Sequence, residues 1–249
     1  MKIIKEYYQY GFFIFILTSY IIFIISDVTQ FTNATQYFSL TLFFVFVVIL
    51  CVSIVLKSKA SSLIKQINEW VLFISVSLSF ILLIFSFVII PSNVNQQSMM
   101  PTLNDGDRIL IFHFNYEPKR GDIIVIEVNH EDYPMIPMST FKDSETVFFV
   151  KRLVGLPGDR IHFELENGQS YLYINDEKVV SVTGHGYLVT EQQQLWIRSQ
   201  LKDGILQQYF VLGDNSTSSL DSIEFGHVDP LDIMGKVVFR LWPFGGLYE

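Results

Sequence analysis

One serine in the chain sits where a nucleophile could work. It lies in Ser98-Met99-Met100-Pro101-Thr102-Leu103, ahead of the acidic turn Asn104-Asp105-Gly106-Asp107 and a few residues past the long apolar run from Trp70 to Ile90. A serine hydroxyl is a poor nucleophile at neutral pH and needs a base within hydrogen-bond reach. Histidine is the usual base. The five here, His113, His130, His162, His185 and His227, are scattered, with no Asp or Glu in a recognisable triad arrangement. The other candidate is Lys151, in Phe148-Phe149-Val150-Lys151-Arg152-Leu153-Val154. On a strand, Phe149, Lys151 and Leu153 share a face. An amine among large apolar groups loses hydration, and burial lowers a lysine by up to about 3–5 units from a reference of about 10.4. Such an amine can take the serine proton. The plainer alternatives are a polar linker with one serine among many, and an edge-strand lysine whose stem lies on the core while its ammonium reaches water.

The elements that must hold these groups divide the chain in two. Half of the 249 residues are hydrophobic, 17% are charged and 23 are Phe, too apolar for an ordinary soluble domain. From Met1 to Ile90 there are five Lys, no Arg and three acids; from Pro91 on there are 12 basic and 22 acidic residues. The net −8 therefore splits into +2 and −10. The acidic balance argues against a nucleic-acid surface. The single cysteine, Cys51, excludes an intramolecular disulfide and a CxxC metal site. Residues 1–90 read as an α-helical membrane anchor with three transmembrane helices, at about 11–26, 37–56 and 70–90, given that about 20 apolar residues span a bilayer. The first could instead be a signal peptide, but no small-x-small cleavage site follows Ile25. Lys2 and Lys5 precede the first segment, the loop Asp27–Gln36 has no Lys or Arg, and the loop Lys57–Glu69 has three Lys. Basic loops stay cytoplasmic, so the N-terminus is expected inside and everything after Ile90 outside.

Residues 91–249 read as an all-β, partly barrel-like extracytoplasmic catalytic domain. Strands are expected over 108–114, 121–128, 146–154, 208–212 and 236–242. A hairpin over 160–174 turns at Glu166-Asn167-Gly168-Gln169. The stretch 128–146 reads as a loop, 181–204 gives little signal, and no amphipathic helix is expected.

Four motifs then follow in order: Ser98 to Leu103; Gly121-Asp122-Ile123-Ile124-Val125; Lys151-Arg152-Leu153-Val154-Gly155-Leu156-Pro157-Gly158-Asp159; and Gly213-Asp214-Asn215-Ser216-Thr217-Ser218-Ser219-Leu220-Asp221-Ser222. This arrangement resembles type I signal peptidase (leader peptidase) from about Pro91 to the C-terminus. The resemblance implies a Ser/Lys dyad, with Ser98 as nucleophile and Lys151 as general base. It matches Ser219 to the serine that orients the lysine, and Asp214, Asp221 and Arg152 to the polar scaffold. It implies a membrane-bound serine endopeptidase that cleaves signal peptides from exported preproteins after small residues at −1 and −3, without metal or cofactor. The expected place is the cytoplasmic (inner) membrane, multi-pass, with preproteins, membrane lipid and the translocation machinery as partners and no nucleic acid.

Two positions depart from the family's pattern. Where the family has a Ser or Thr as second oxyanion donor, two residues before the nucleophile, this chain has Gln96; the Ser98 backbone, Gln96 and Ser92 are the candidates. The family's Asp-Ser-Arg is Asp221-Ser222-Ile223 here, which removes an ion partner of Asp221 and leaves Arg152 as a substitute. Two other functions stay open: a processing peptidase with a narrow client, and a catalytically silent scaffold.

Overall fold

The computed structural model describes residues 88–141 and 144–247, together with isolated helical positions between Gln66 and Phe85. The chain divides into two units, Met1–Ile90 and Pro91–Glu249. The first two apolar segments, 11–26 and 37–56, lie outside the described residues. The third is described at scattered helical positions, of which Trp70, Phe73, Ile74, Phe80 and Ile81 are exposed. Among the described residues no helix is long and apolar enough to cross a membrane.

The second unit is built mainly of strands. In chain order these are β1 (Ile89–Asn93), β2 (Arg108–Phe112), β3 (Ile123–Asn129), β4 (Thr146–Gly155), β5 (Ile161–Glu166), β6 (Gln169–Ile174), β7 (Glu177–Lys178), β8 (Phe210–Leu212) and β9 (Ile233–Trp242). Six form one sheet in the order β1-β2-β9-β3-β4-β8; β5, β6 and β7 form a second. The large sheet is open, with β1 and β8 at its edges, so it is not a closed barrel. Register shifts where β9 meets β2 and β3, and where β4 meets β8, bend it locally.

The hairpin expected over 160–174 is present, with Glu166 opposite Gln169 and a two-residue loop. Asn167 and Gly168 both have positive φ, 51° and 82°, the conformation such a tight turn demands and that Asn-Gly tolerates.

Among the described residues, two clusters carry much of the core. Ile124, Ile126, Val128, Phe149, Leu153 and Val211 pack in one; Ile161, Leu172, Ile197, Phe210, Leu212 and Ile223 pack in the other. Alternation along β8 explains the division, since Val211 points to one cluster and its neighbours Phe210 and Leu212 to the other. All three are fully buried, so β8 is pinned from both faces.

Helices appear where none was expected. α1 (Met138–Phe141) is a single turn, and α3 (Ser222–Phe225) follows the last motif. The correction of substance is α2 (Glu191–Gln200). Its sequence, EQQQLWIRSQ, buries only Ile197, and Leu195 is exposed, so there is no broad apolar stripe to read. Its signal is local instead. Thr190 accepts from Gln193 N and the Gln193 side chain accepts from Thr190 N, a reciprocal capping box.

Candidate active site

Ser98 opens a turn that its neighbours clamp. Met100 N donates to Gln97 O and Leu103 N to Met99 O, while Met99 and Leu103 are buried to 1% and 0% exposure. The two apolar side chains hold the loop down, and Ser98 is buried beside them, with 8% of its surface exposed. Behind it, Asp107 accepts from Asn104 N, and Asp107 and Gly106 bond back to Val94, so the acidic turn closes onto the segment leaving β1.

Lys151 enters from β4. Its face is shared with Phe149 and Leu153, as strand alternation requires, and its side chain is buried to 1% exposure. The ammonium therefore does not reach out to water along the strand edge. Nζ donates to Ser98 Oγ at 2.8 Å and lies 5.1 Å from the centre of the Phe149 ring. Burial lowers its pKa to about 8, against a smaller upward pull from the Asp221 carboxylate. An amine so placed is unprotonated in a useful fraction near neutral pH and touches the hydroxyl it would deprotonate. Three of the five histidines are engaged elsewhere, His130 with Ile136 O, His162 with Glu164 and His185 with Thr183, and among the described residues no histidine hydrogen-bonds to Ser98.

The segment after β8 locks the two motifs together. Asn215 N donates to Ser98 O at 2.9 Å, and Asn215 Nδ2 to Gln97 O at 3.2 Å. Tyr187 Oη donates to Gly213 O. A methyl group at Gly213 would lie 2.6 Å from Ser98 O and 2.1 Å from Ser219 Oγ, so only glycine fits this approach. Asp214, 1% exposed, is gripped by Arg152 through Nε at 2.7 Å and Nη2 at 2.6 Å, and accepts from Thr102 Oγ1 at 2.5 Å. Arg152 also donates to Gly121 O, so one guanidinium joins three of the four motifs. Arg152 thus makes a two-pronged pair with Asp214.

Asp221 is met differently. It caps α3, accepting from Ile223 N at 3.2 Å, and accepts from Gly213 N at 3.0 Å. Burial pushes its carboxyl up, against the pull of these N–H groups, the Ser219 hydroxyl and Lys151. Ile223, in the position of the family's arginine, is a core residue beside Ile197 and Leu212. Ser219 Oγ is buried without a hydrogen bond of normal geometry, although its nearness to Asp221 affects that carboxyl. A hydrogen bond from Ser219 to Lys151 is not made in this arrangement; Nζ bonds to Ser98.

Of the oxyanion candidates, Gln96 is exposed and Ser92 belongs to β1, and neither hydrogen-bonds to Ser98. No hydrogen bond leaves the Ser98 N–H among the described residues, so this donor is available for an incoming oxygen. Thr102, Gly213 and Asn215 stand in the motifs but had no role on sequence grounds. Tyr187 had no sequence signal, because its partner is a backbone carbonyl 26 positions away.

Comparison with known proteins bears on the family. The sequence model of the family "Signal peptidase, peptidase S26" matches residues 67–242. A signal peptidase I of Bacillus caldolyticus is 36% identical over 197 residues, 72% of this chain and 93% of its own. A signal peptidase IB of Staphylococcus aureus (strain COL) is 29% identical over 194 residues, 72% of this chain and 92% of its own. A solved structure of a signal peptidase I from Enterococcus faecalis V583 matches at 26% identity over 49% of this chain and 97% of its own, with a TM-score of 0.26, a superposition too poor to bear on the fold. With the family pattern covering both sheets and the whole Ser98–Lys151 neighbourhood, this chain belongs to the signal peptidase family, peptidase S26.

Proposed function

We propose that the chain is a membrane-bound serine endopeptidase that cuts signal peptides from exported preproteins with a Ser98/Lys151 dyad. Cleavage of signal peptides by a serine endopeptidase follows from the family. The observation that carries the dyad is the 2.8 Å contact between a fully buried Lys151 amine and Ser98 Oγ. Neutral Lys151 takes the Oγ proton as Oγ attacks the carbonyl carbon of the bond to be cut. The oxyanion forms against the Ser98 N–H. The tetrahedral adduct collapses, the C–N bond breaks, and Lys151 Nζ returns the proton to the departing amine. Water, deprotonated by the same amine, then attacks the ester and frees Ser98.

Substrate placement follows from the sheet. β8 leaves it at Leu212, opposite Arg152, so beside Val150 and Lys151 β4 is the last strand of the sheet among the described residues. A leader in extended form lies there as an added strand, delivering its carbonyl to Ser98. Small residues at −1 and −3 are the ones the resemblance implies at the cut. The three apolar segments of the first 90 residues hold the enzyme in the cytoplasmic membrane with residues 91–249 outside, where preproteins, lipid and the translocation machinery meet it.

The test is processing of a preprotein with an Ala-x-Ala site by the full chain in detergent and in vesicles, between about pH 6 and pH 10. Wild type is compared with Ser98→Ala and Lys151→Met. Activity that climbs toward alkaline pH and vanishes in both variants supports the dyad. Activity surviving Lys151→Met would remove it, and an inert wild type across several preproteins would favour a silent scaffold.

A further inference from the structure

Beside Ser98 runs a groove that the proposed reaction does not use. Its volume is about 520 Å³, within the roughly 300–1,000 Å³ of ordinary ligand sites. One wall is Met100 with Asn215–Thr217, the segment whose Asn215 holds the Ser98 carbonyl. The facing wall belongs to the small sheet and the turn after it, with Tyr171, Thr183, His185 and Leu188. The two walls differ in chemistry. Met100 and Leu188 are exposed apolar side chains, at 37% and 51%, on either side of an opening that the Tyr171 ring helps to line. Thr217, Thr183 and His185 supply hydrogen-bonding groups around them.

Charge in the groove is already neutralised. Asp214 is paired with Arg152, and Lys178, whose ammonium lies 3.5 Å from the centre of the Tyr171 ring, is paired with Glu166 at 2.7 Å. The groove therefore suits an uncharged, extended chain with an apolar side chain, not an ion. Its position states which chain. A leader lying beside Val150 approaches Ser98 from the side where β8 has left the sheet. The polypeptide beyond the cut bond continues the other way, over Ser98 and along Asn215–Thr217, into this groove.

We infer that the groove between Asn215–Thr217 and the Tyr171–Leu188 wall is the subsite for the first few residues of the mature protein, C-terminal to the cut bond, with a preference for an uncharged segment carrying an apolar side chain. This rests on the peptidase reading above. The subsite holds the departing half of the substrate equally in the ground state and the transition state, so it acts on KM more than on kcat.

The test uses the full chain in detergent and two synthetic substrates sharing one leader sequence. The short one ends in a single-residue amide after the cut; the long one carries four mature residues, one of them Leu. Two variants alter the groove without touching the dyad: Thr183→Trp, which fills it, and Leu188→Asp, which charges it. Both positions are exposed. The wild type is expected to cleave the long substrate with a lower KM than the short one. Each variant raises KM for the long substrate about tenfold with kcat little changed and leaves the short substrate as it was, which also shows that the variant is folded. A loss equal for both substrates, no loss for either, or no wild-type advantage for the long substrate would overturn the subsite while leaving the peptidase standing. If the wild type cleaves neither, the peptidase reading falls and the subsite with it.

Discussion

At Lys151 two effects of opposite sign meet. Burial strips water from the ammonium and brings its pKa to about 8, while the charge of Asp221 pushes it back up. The amine sheds its proton as pH rises through about 8, so the base form gains over that range, and at pH 7 about a tenth of it is unprotonated. We predict an ascending limb in kcat/KM centred near pH 8. Asp221→Asn removes the upward pull, so its limb moves to lower pH; a limb that stays in place would mean that the Asp221 charge does not reach the amine. The same shift acts on stability. The unfolded chain still holds this proton between about 8 and the ordinary 10.5, so stability rises with pH across that window. Gly213 gives a second prediction. Gly213→Ala sets a methyl group 2.6 Å from Ser98 O, a backbone atom fixed by Asn215, so Ser98 has to shift. A displacement of the order of an ångström costs about a hundredfold in rate. We expect kcat to fall by about that factor with the protein still folded, as read by single-turnover kinetics beside circular dichroism.

Among the elements, β8 does most to place the site. Three buried residues, facing two cores in turn, fix where the chain leaves the sheet, and Gly213–Asn215 follows directly onto Ser98. Its short length and uniform burial are one property, since a strand covered on both faces has no polar side to show in the sequence. α2 is held by its ends more than by its face. Thr190→Ala removes the side-chain half of the capping box, which costs about 1 kcal/mol. For a unit of this size that lowers Tm by about 2–4 °C. Thr190 is exposed and has no part in the Ser98–Lys151 contact, so activity at low temperature is expected to be unchanged. A calorimetric scan and a cleavage assay on the same sample check both halves.

Over the whole molecule, the division of charge and hydropathy is what the proposed topology rests on. The first 90 residues hold five Lys and no Arg, placed before the first apolar segment and after the second. The arrangement proposed from this puts the loop Asp27–Gln36 outside and Lys57–Glu69 inside. Cys51 lies within an apolar segment, so it should contribute little background to thiol labelling. In intact cells a membrane-impermeant maleimide is expected to label Thr32→Cys and to leave Ser58→Cys unlabelled until the membrane is opened. Labelling of Ser58→Cys in intact cells would invert the topology and place residues 91–249 on the wrong side for exported substrates.

Sequence alone determined what depends on neighbours along the chain. Strand alternation put Phe149, Lys151 and Leu153 on one face, Asn167-Gly168 marked the hairpin turn, and the order of four motifs carried the family, because each is a contiguous run whose backbone conformation is set locally. α2 stayed unread, because its one local signal is the Thr190–Gln193 cap and its stretch has no broad hydrophobic periodicity. Tertiary structure decided the rest. Whether the Lys151 ammonium reaches water or stays buried depends on what packs above β4, which periodicity does not contain. That Arg152 closes on Asp214, 62 positions away, and that Ile223 packs in the core beside Ile197 and Leu212, are decided by the fold's long-range contacts. The groove beside Ser98 is the clearest case. Its walls come from stretches around residues 100, 171, 185 and 215, and nothing in any one of them describes the space left between them.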